Sequence, residues 1–295
     1  MWVGTFNGLD RFDEKNGKFI HYKNDPNNPN SLGDNWVWPI FEDSKGFLWI
    51  GTVRGGLNRF DPRKNLFTRY KNDPSDPKSI NDNFIFSIYQ GKGGLIWVGT
   101  NTGGVNFFNP ATRVFEHFSH NPNDKNSLSD DAVSAMCVDK DGTYWIGTRS
   151  GGLDKFNYKK KIFKNYTYDP SNPNSLVSNS IVVIYQDRSG ILWLGTFSSG
   201  LMAFNPKSET YKYYQHEPAD SNSLTDNRIY SVLEDEDGII WIGTYGSGLN
   251  RLDRKTGKIT HFKSEKTDST SLSSNSVWSM AEDNDGNLWL GTFGG

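Results

Sequence analysis

A four-residue word at a fixed period, four short strand patterns inside each period, and no helical periodicity together predict an all-β fold. The class they point to is a β-propeller of four-stranded antiparallel blades. The word is W-x-G-T, opening at Trp2, Trp49, Trp97, Trp145, Trp193, Trp241 and Trp289, with one spacing of 47 residues and five of 48. Self-similarity at a period of about 20 to 50 residues marks stacked or radial repeats. Four strands and a crossover make a propeller blade. A lone four-stranded meander leaves both faces bare, whereas repeats packed face to face cover one another.

The repeat from Asn35 to Asp82 shows each element in turn. Asn35 to Glu42 is short, β-branched and aromatic, a first strand. Asp43-Ser44-Lys45-Gly46 is a turn, opened by an Asp side chain and closed by a Gly free to take positive φ. Phe47 to Thr52 is the second strand, Val53 to Gly56 turns the chain back, and Leu57 to Asp61 is the third. Leu66 to Lys71 is the fourth. The loop Asn72 to Ile80 carries Pro74 and Pro77, which cannot donate to a ladder and so end the sheet.

Columns at the 48-residue period define the core. Val37, Ile85, Val133, Ile181, Ile229 and Val277 form one first-strand column. Phe41, Tyr89, Cys137, Tyr185, Leu233 and Ala281, four residues on, are expected on the same face. Phe12, Phe60, Phe108, Phe156, Phe204 and Leu252 form a third-strand column. Cys137 is the only cysteine, so it reads as a buried inert thiol, with no internal disulfide to form. The recurring Trp reads as packing, because it returns once per blade beside core columns. The Gly of the word admits a close neighbour, and its Thr hydroxyl is expected to tie nearby backbone.

The strand inventory gives strands two to four of a blade at residues 2–22, then five whole blades, then strands one and two at 276–292. Six first strands fit either a closed six-bladed ring or most of a seven-bladed one. The chain, residues 1–295, is expected to be a single propeller domain drawn from a longer array, since it opens inside a repeat. The crossovers repeat too: Asn24 to Leu32 returns as Asn72 to Ile80, Asn121 to Leu128, Asp169 to Leu176, Glu217 to Leu224 and Ser264 to Leu272. In each, Ser is expected to tie a local turn and the following Leu or Ile to pin the loop.

Composition excludes several functions. Net charge is −2 with both signs interspersed, and no basic run offers a nucleic-acid footprint. No stretch reaches the roughly 18 apolar residues of a membrane span, so no direct membrane insertion is expected. The N-terminus lacks the regions of a secretory signal. Ten Trp, 19 Phe and 13 Tyr supply large buried area on short strands.

The pattern N-x-V-W-x-I-x-E-D-x-x-G-x-L-W-I-G-T-x-x-G-G-L-N-R-F-D stands from Asn35 to Asp61, and again from Asn227 to Asp253 and Asn275 to Gly295. With the N-D-P-x-x-P-x-S-L crossover, it resembles the two-component regulator propeller repeat over essentially the whole chain. The resemblance implies a periplasmic or extracellular sensor propeller of a bacterial hybrid histidine kinase or related signalling protein. It implies neighbouring propeller or signalling domains in the same protein, homodimers of the full-length protein, and oligosaccharides as a ligand class. The residues present include no kinase, receiver or DNA-binding segment, so they are expected to sense or dock.

Other chemistry finds no support. Turns such as Asp139 to Gly142, Asp235 to Gly238 and Asp283 to Gly286 resemble calcium-loop openings but run straight into strand residues, so hairpins are expected. His21, His117 and His261 share a fourth-strand column on different blades and cannot converge on a metal; they read as solvated edge residues. No metal or other cofactor is expected. The positions that differ between repeats lie after each G-T and at the first-strand entrances. Variation where packing columns stay constant marks the binding face. Trp36, Arg54, Arg149, Phe197, Arg228, Tyr230 and Tyr245 are the candidate ligand residues, since stacking and guanidinium hydrogen bonds suit sugars or carboxylated glycans. Trp38, Phe86, Tyr230 and Trp278 would instead plug the hub of a purely structural scaffold. A propeller lyase or glycosidase is the enzymatic alternative. Glycoside hydrolysis would need two carboxylates about 5 to 10 Å apart. Asp34, Asp82, Asp130, Asp131 and Asp226 lie near crossover ends, where their recurrence favours loop capping.

Overall fold

The protein is all-β and of the propeller class, as a computed structural model describing residues 1–294 shows. Five four-stranded sheets run in chain order, beginning at Val37–Glu42, Ile85–Gln90, Val133–Val138, Ile181–Gln186 and Ile229–Glu234. Trp2–Thr5, Gly8–Asp13 and Lys18–Tyr22 form a three-stranded sheet, and Val277–Glu282 with Leu288–Thr292 a two-stranded one. All these strand pairs are antiparallel. The inventory read from the sequence is thus reproduced, with strands trimmed by one or two residues at their ends. Two compact units divide the chain, Met1–Val138 and Asp139–Gly295.

Within each unit the core lies between consecutive blades. In the first unit, Trp49 and Leu57 of one blade meet Ile80 of the crossover and Ile85, Ile96, Val98 and Phe108 of the next. In the second unit, Trp193 and Leu201 meet Leu224, Ile229, Ile240 and Leu252 in the same way. The indole and the next blade's third-strand Phe pack as rings: Trp49 with Phe108 at 5.5 Å, Trp145 with Phe204 at 5.6 Å. Burying such pairs removes large apolar area from water, the dominant favourable term in folding. The crossover Leu or Ile is fully enclosed at Leu32, Ile80 and Leu128 and seals each seam, but Leu272 is only half-buried.

The Gly of the word decides how closely blades approach. A Cβ on Gly51 would lie 2.7 Å from Ile85 Cγ2 and 2.5 Å from Pro39 Cγ. The first-strand column of the next blade therefore closes directly onto Gly backbone. The Thr expectation also holds: Thr52 Oγ1 donates to Gly56 O at 2.9 Å and accepts the Gly55 N–H at 3.0 Å. Ser31 Oγ accepts the Asp25 N–H at 2.8 Å and donates to Asp25 O at 3.1 Å, and five further crossovers repeat this knot.

Several expectations are corrected. The column from Phe41 to Ala281 is not core: Phe41, Tyr89, Tyr185 and Leu233 are half-buried and Ala281 is exposed. A register shift between Ile229 and Ser231, matched in the first strands that begin at Val37, Ile85, Ile181 and Val277, inserts an extra residue and breaks the alternation. Val232 and Ile184 are buried instead. Cys137, on the same column, is correspondingly half-buried. The fourth-strand column does more than face solvent. Arg69 Nε donates to Ser31 O at 2.8 Å, Tyr213 Oη to Ser175 O at 2.6 Å, and His261 Nε2 lies 2.8 Å from Ser223 O. These side chains anchor the crossover of the preceding blade. The Trp packing role holds inside the array, yet Trp289 is 44% exposed.

Candidate ligand-binding site

Asp side chains at the crossover ends fix the turns that carry the variable residues. Asp34 Oδ2 accepts the Arg54 N–H at 3.0 Å, and Asp82 Oδ2 accepts the Thr102 N–H at 2.8 Å. Asp82 also caps the first-strand entrance, accepting the Phe84 N–H at 3.0 Å. These acids are consumed in capping, as their recurrence suggested. With the Thr knot beside them, the turns become rigid platforms for whatever side chains follow G-T.

In the first unit, Trp36 stands edge-on to Phe6, with centroids 5.1 Å apart. Trp38 packs on Phe84 and Phe86 at 6.3 and 6.2 Å. This is an aromatic surface; Arg54 is exposed on the neighbouring turn, held there through its backbone.

The second unit gathers more of the candidates. Arg228 lies over the Tyr245 ring at 4.9 Å, within cation–π range. Tyr245 meets Tyr230 at 5.4 Å, and Tyr230 stacks on Trp278 at 5.4 Å with 29° between planes. Trp278 in turn stacks on Phe293 at 5.5 Å and 18°. The Ser276 hydroxyl donates to the Tyr245 carbonyl and joins the last sheet to this cluster. Arg149 and Phe197 occupy the same post-G-T position on their own turns and are exposed. Trp278 and Phe293 lie outside the candidates named from the sequence. Trp278, one of the hub residues of the scaffold alternative, sits between Tyr230 and Phe293, and Phe293 shares the post-G-T column with Tyr245.

The charges are local and paired. Arg228 Nε and Nη2 donate to Asp226 Oδ1 and Oδ2 at 3.0 and 2.6 Å. Burial alone would raise the Asp226 carboxyl, but the Arg228 side-chain and backbone hydrogen bonds outweigh it and hold the group below its ordinary range. The same hydrogen bond raises Arg228. Burial pushes the Tyr230 hydroxyl up, with Arg149 and Arg228 pulling the other way, so it stays a neutral donor. The cluster offers ring surfaces, phenol hydroxyls and a guanidinium, and its carboxylate is already bonded. Such a set can bind a ligand by stacking and hydrogen bonding.

The Asp-x-x-Gly turns resolve as hairpins. Asp139 Oδ1 accepts the Thr143 N–H at 2.8 Å and Oδ2 the Trp145 indole N–H at 2.8 Å. Both carboxylate oxygens thus brace the hairpin, and among the described residues no cluster of three metal-ligating side chains occurs. The Asp-to-indole bond recurs at Asp43, Asp187, Asp235 and Asp283. It went unread in the sequence, although Asp stands six residues before Trp in each case.

Comparison with known proteins places this geometry. The model of the two component regulator propeller matches residues 31–54, 79–102, 127–150, 175–198, 223–246 and 271–294. A solved structure named as the extracellular domain of the hybrid two component system BT3049 from B. thetaiotaomicron is 27% identical, with a TM-score of 0.84. The match covers 100% of this chain and 37% of that one, so the chain spans well under half of that neighbour. The extracellular domain of the one component system BT4673 from B. thetaiotaomicron is 22% identical over 99% of this chain and 43% of that one, with a TM-score of 0.54. Virginiamycin B lyase from Staphylococcus aureus, solved with quinupristin, is 14% identical over 93% of this chain and 82% of that one, at a TM-score of 0.65. The last two likenesses show the fold alone. No curated protein matches the sequence.

Proposed function

Because the chain belongs to the two component regulator propeller family, we propose that it is the non-catalytic, ligand-binding sensor part of a two-component signalling protein. An oligosaccharide is the proposed ligand, seated on the Arg228–Tyr245–Tyr230–Trp278–Phe293 cluster. The proposed setting is extracytoplasmic, periplasmic or extracellular, in line with neighbours that are extracellular domains. Its proposed partners are neighbouring propeller and signalling domains of the same protein, with homodimers of the full-length protein carrying the signal.

The observation that carries this reading is the contrast between columns. The packing positions stay aliphatic or aromatic from blade to blade, while the post-G-T and entrance positions change and collect exposed rings and arginines. Isothermal titration against an oligosaccharide panel tests it. Binding that weakens at least about tenfold, or about 1.4 kcal/mol, in Tyr245→Ala, without loss of thermal stability, supports the sensor reading. Cleavage of any panel member by the purified chain would move the assignment to an enzyme.

A further inference from the structure

Two features of the second unit bear on what its ligand carries. Consecutive repeats place an exposed ring at the same turn position: Phe197, Tyr245 and Phe293 are 46%, 42% and 53% exposed. Trp278 fills the space between the last two, 6.3 Å from Tyr245 and 5.5 Å from Phe293. A row of rings at one ring per blade suits a ligand of several linked rings, whose C–H faces lie against aromatic surface.

The second feature is that Arg228, the guanidinium over Tyr245, is already paired. Arg228 turns its Nε and Nη2 edge onto Asp226, at 3.0 and 2.6 Å. That fork is how an arginine takes a ligand's carboxylate or sulfate. Asp226 Oδ1 also accepts the Arg228 N–H at 3.0 Å, and Oδ2 the Ser247 hydroxyl at 3.2 Å, so each oxygen holds two donors. The Asp226 side chain is 11% exposed. Handing the fork to a ligand would strip a largely buried carboxylate of its counter-charge, which is costly.

We infer that the ligand read by this row is an uncharged oligosaccharide, and that the Arg228–Asp226 pair selects against glycans bearing carboxylate or sulfate. The inference rests on the sensor reading and narrows its ligand class. Asp226 is a positioning residue here: it holds the guanidinium over Tyr245 and cancels its charge, leaving Nη1 and the phenol hydroxyls to meet sugar hydroxyls. Arg149 stands on another turn and is tested separately.

The experiment is titration calorimetry of the purified chain with neutral oligosaccharides, oligogalacturonates and sulfated glycans at low and high salt. Neutral ligands alone should bind, with Kd changing less than about twofold across the salt range, because no ionic contact is screened. Asp226→Asn, checked for an unchanged melting profile, should gain at least about tenfold for oligogalacturonate, or about 1.4 kcal/mol. That gain should fade as salt rises, a readout that a purely structural role would not move. Wild-type binding of a charged glycan in preference, weakening with salt, would overturn the inference while the sensor reading stood. Loss of that salt dependence in Arg149→Ala would place the anion there instead. If no glycan of either class binds, the oligosaccharide reading and this inference fall together.

Discussion

Replacing Gly51 by Ala tests the claim that blade spacing is set by the Gly of the repeated word. The added Cβ would lie 2.5 Å from Pro39 Cγ, 2.7 Å from Ile85 Cγ2 and 2.8 Å from Ile85 Cβ. No rotamer change moves a Cβ, so the Ile85 strand itself must shift. Overpacking of a dense core costs about 1–3 kcal/mol, and three atoms inside contact distance put Gly51→Ala near the top, at about 3 kcal/mol. Gly4→Ala meets a single atom under 3.0 Å, Val37 Cγ1 at 2.8 Å, and should cost about half that. Gly246→Ala has its nearest neighbour, Arg228 Nη2, at 3.8 Å and should stay within about 0.5 kcal/mol of wild type. Urea titration followed by Trp fluorescence gives the three values. A thermal melt should show Gly51→Ala lower by about 5 °C. Ile85→Ala opens space at the same seam, so the double variant with Gly51→Ala should be more stable than the sum of the singles by about 1 kcal/mol or more. Additivity within about 0.5 kcal/mol, or equal costs across the three glycines, would refute the reasoning.

Three further outcomes follow from the same structure. Arg254 donates to Asp187 and Glu234 at 2.5 Å each, and both carboxylates are essentially enclosed; Arg254→Ala should cost about 3 kcal/mol in urea, since two buried acids lose their cation, and a cost under about 1 kcal/mol would sink this account. The Trp289 indole, then the Asn287 backbone and side chain, hold the Asp283 carboxyl down at about 2 from 3.8. Because the folded value is the lower, its contribution to stability is present above the unfolded pKa and is lost as pH falls through the interval from 3.8 to about 2. Carbon-detected NMR titration should show that midpoint in the native chain and a higher one in Trp289→Phe. Gly91→Asp should restore the Asp-x-x-Gly turn before Trp97: the Gly91 N–H already bonds Leu95 O at 2.9 Å, as Asp43 bonds Phe47 O at 2.9 Å. It should gain about 1 kcal/mol through side-chain bonds to the turn, with a loss in the melt counting against the match.

Much of the fold was legible because a repeat states each physical requirement several times over. One W-x-G-T could be chance; seven at 47 or 48 residues cannot be packed independently. The Phe60–Phe204 column, the Ser knots and the crossover Leu were readable for that reason. The alternation rule failed at Phe41 and Cys137, where it assumed regular pairing. The bulge near residues 229–231 depends on how two strands register, which residue types alone do not fix. The fourth-strand column was misread through distance: His261 is 38 positions from Ser223, its carbonyl partner, and only the fold brings them together.

The site was less legible, and for a different reason. Packing repeats, so its signal accumulates, whereas a binding site is where repeats depart from one another and each position speaks once. The sequence singled out Arg228 as a donor for a ligand, and the side chain is indeed beside Tyr230 and Tyr245. Yet Asp226, two residues away, was read only as a loop cap. In the structure it is both: one oxygen caps the strand entrance while the pair of them closes the guanidinium fork. A residue with a recurring structural duty can therefore also set specificity at the one blade where an arginine follows it. Where Trp36 follows Asp34-Asn35 and Phe84 follows Asp82-Asn83, the cap has no guanidinium to pair with. The charge preference proposed for this site thus turns on a single local pairing, Arg228 with Asp226.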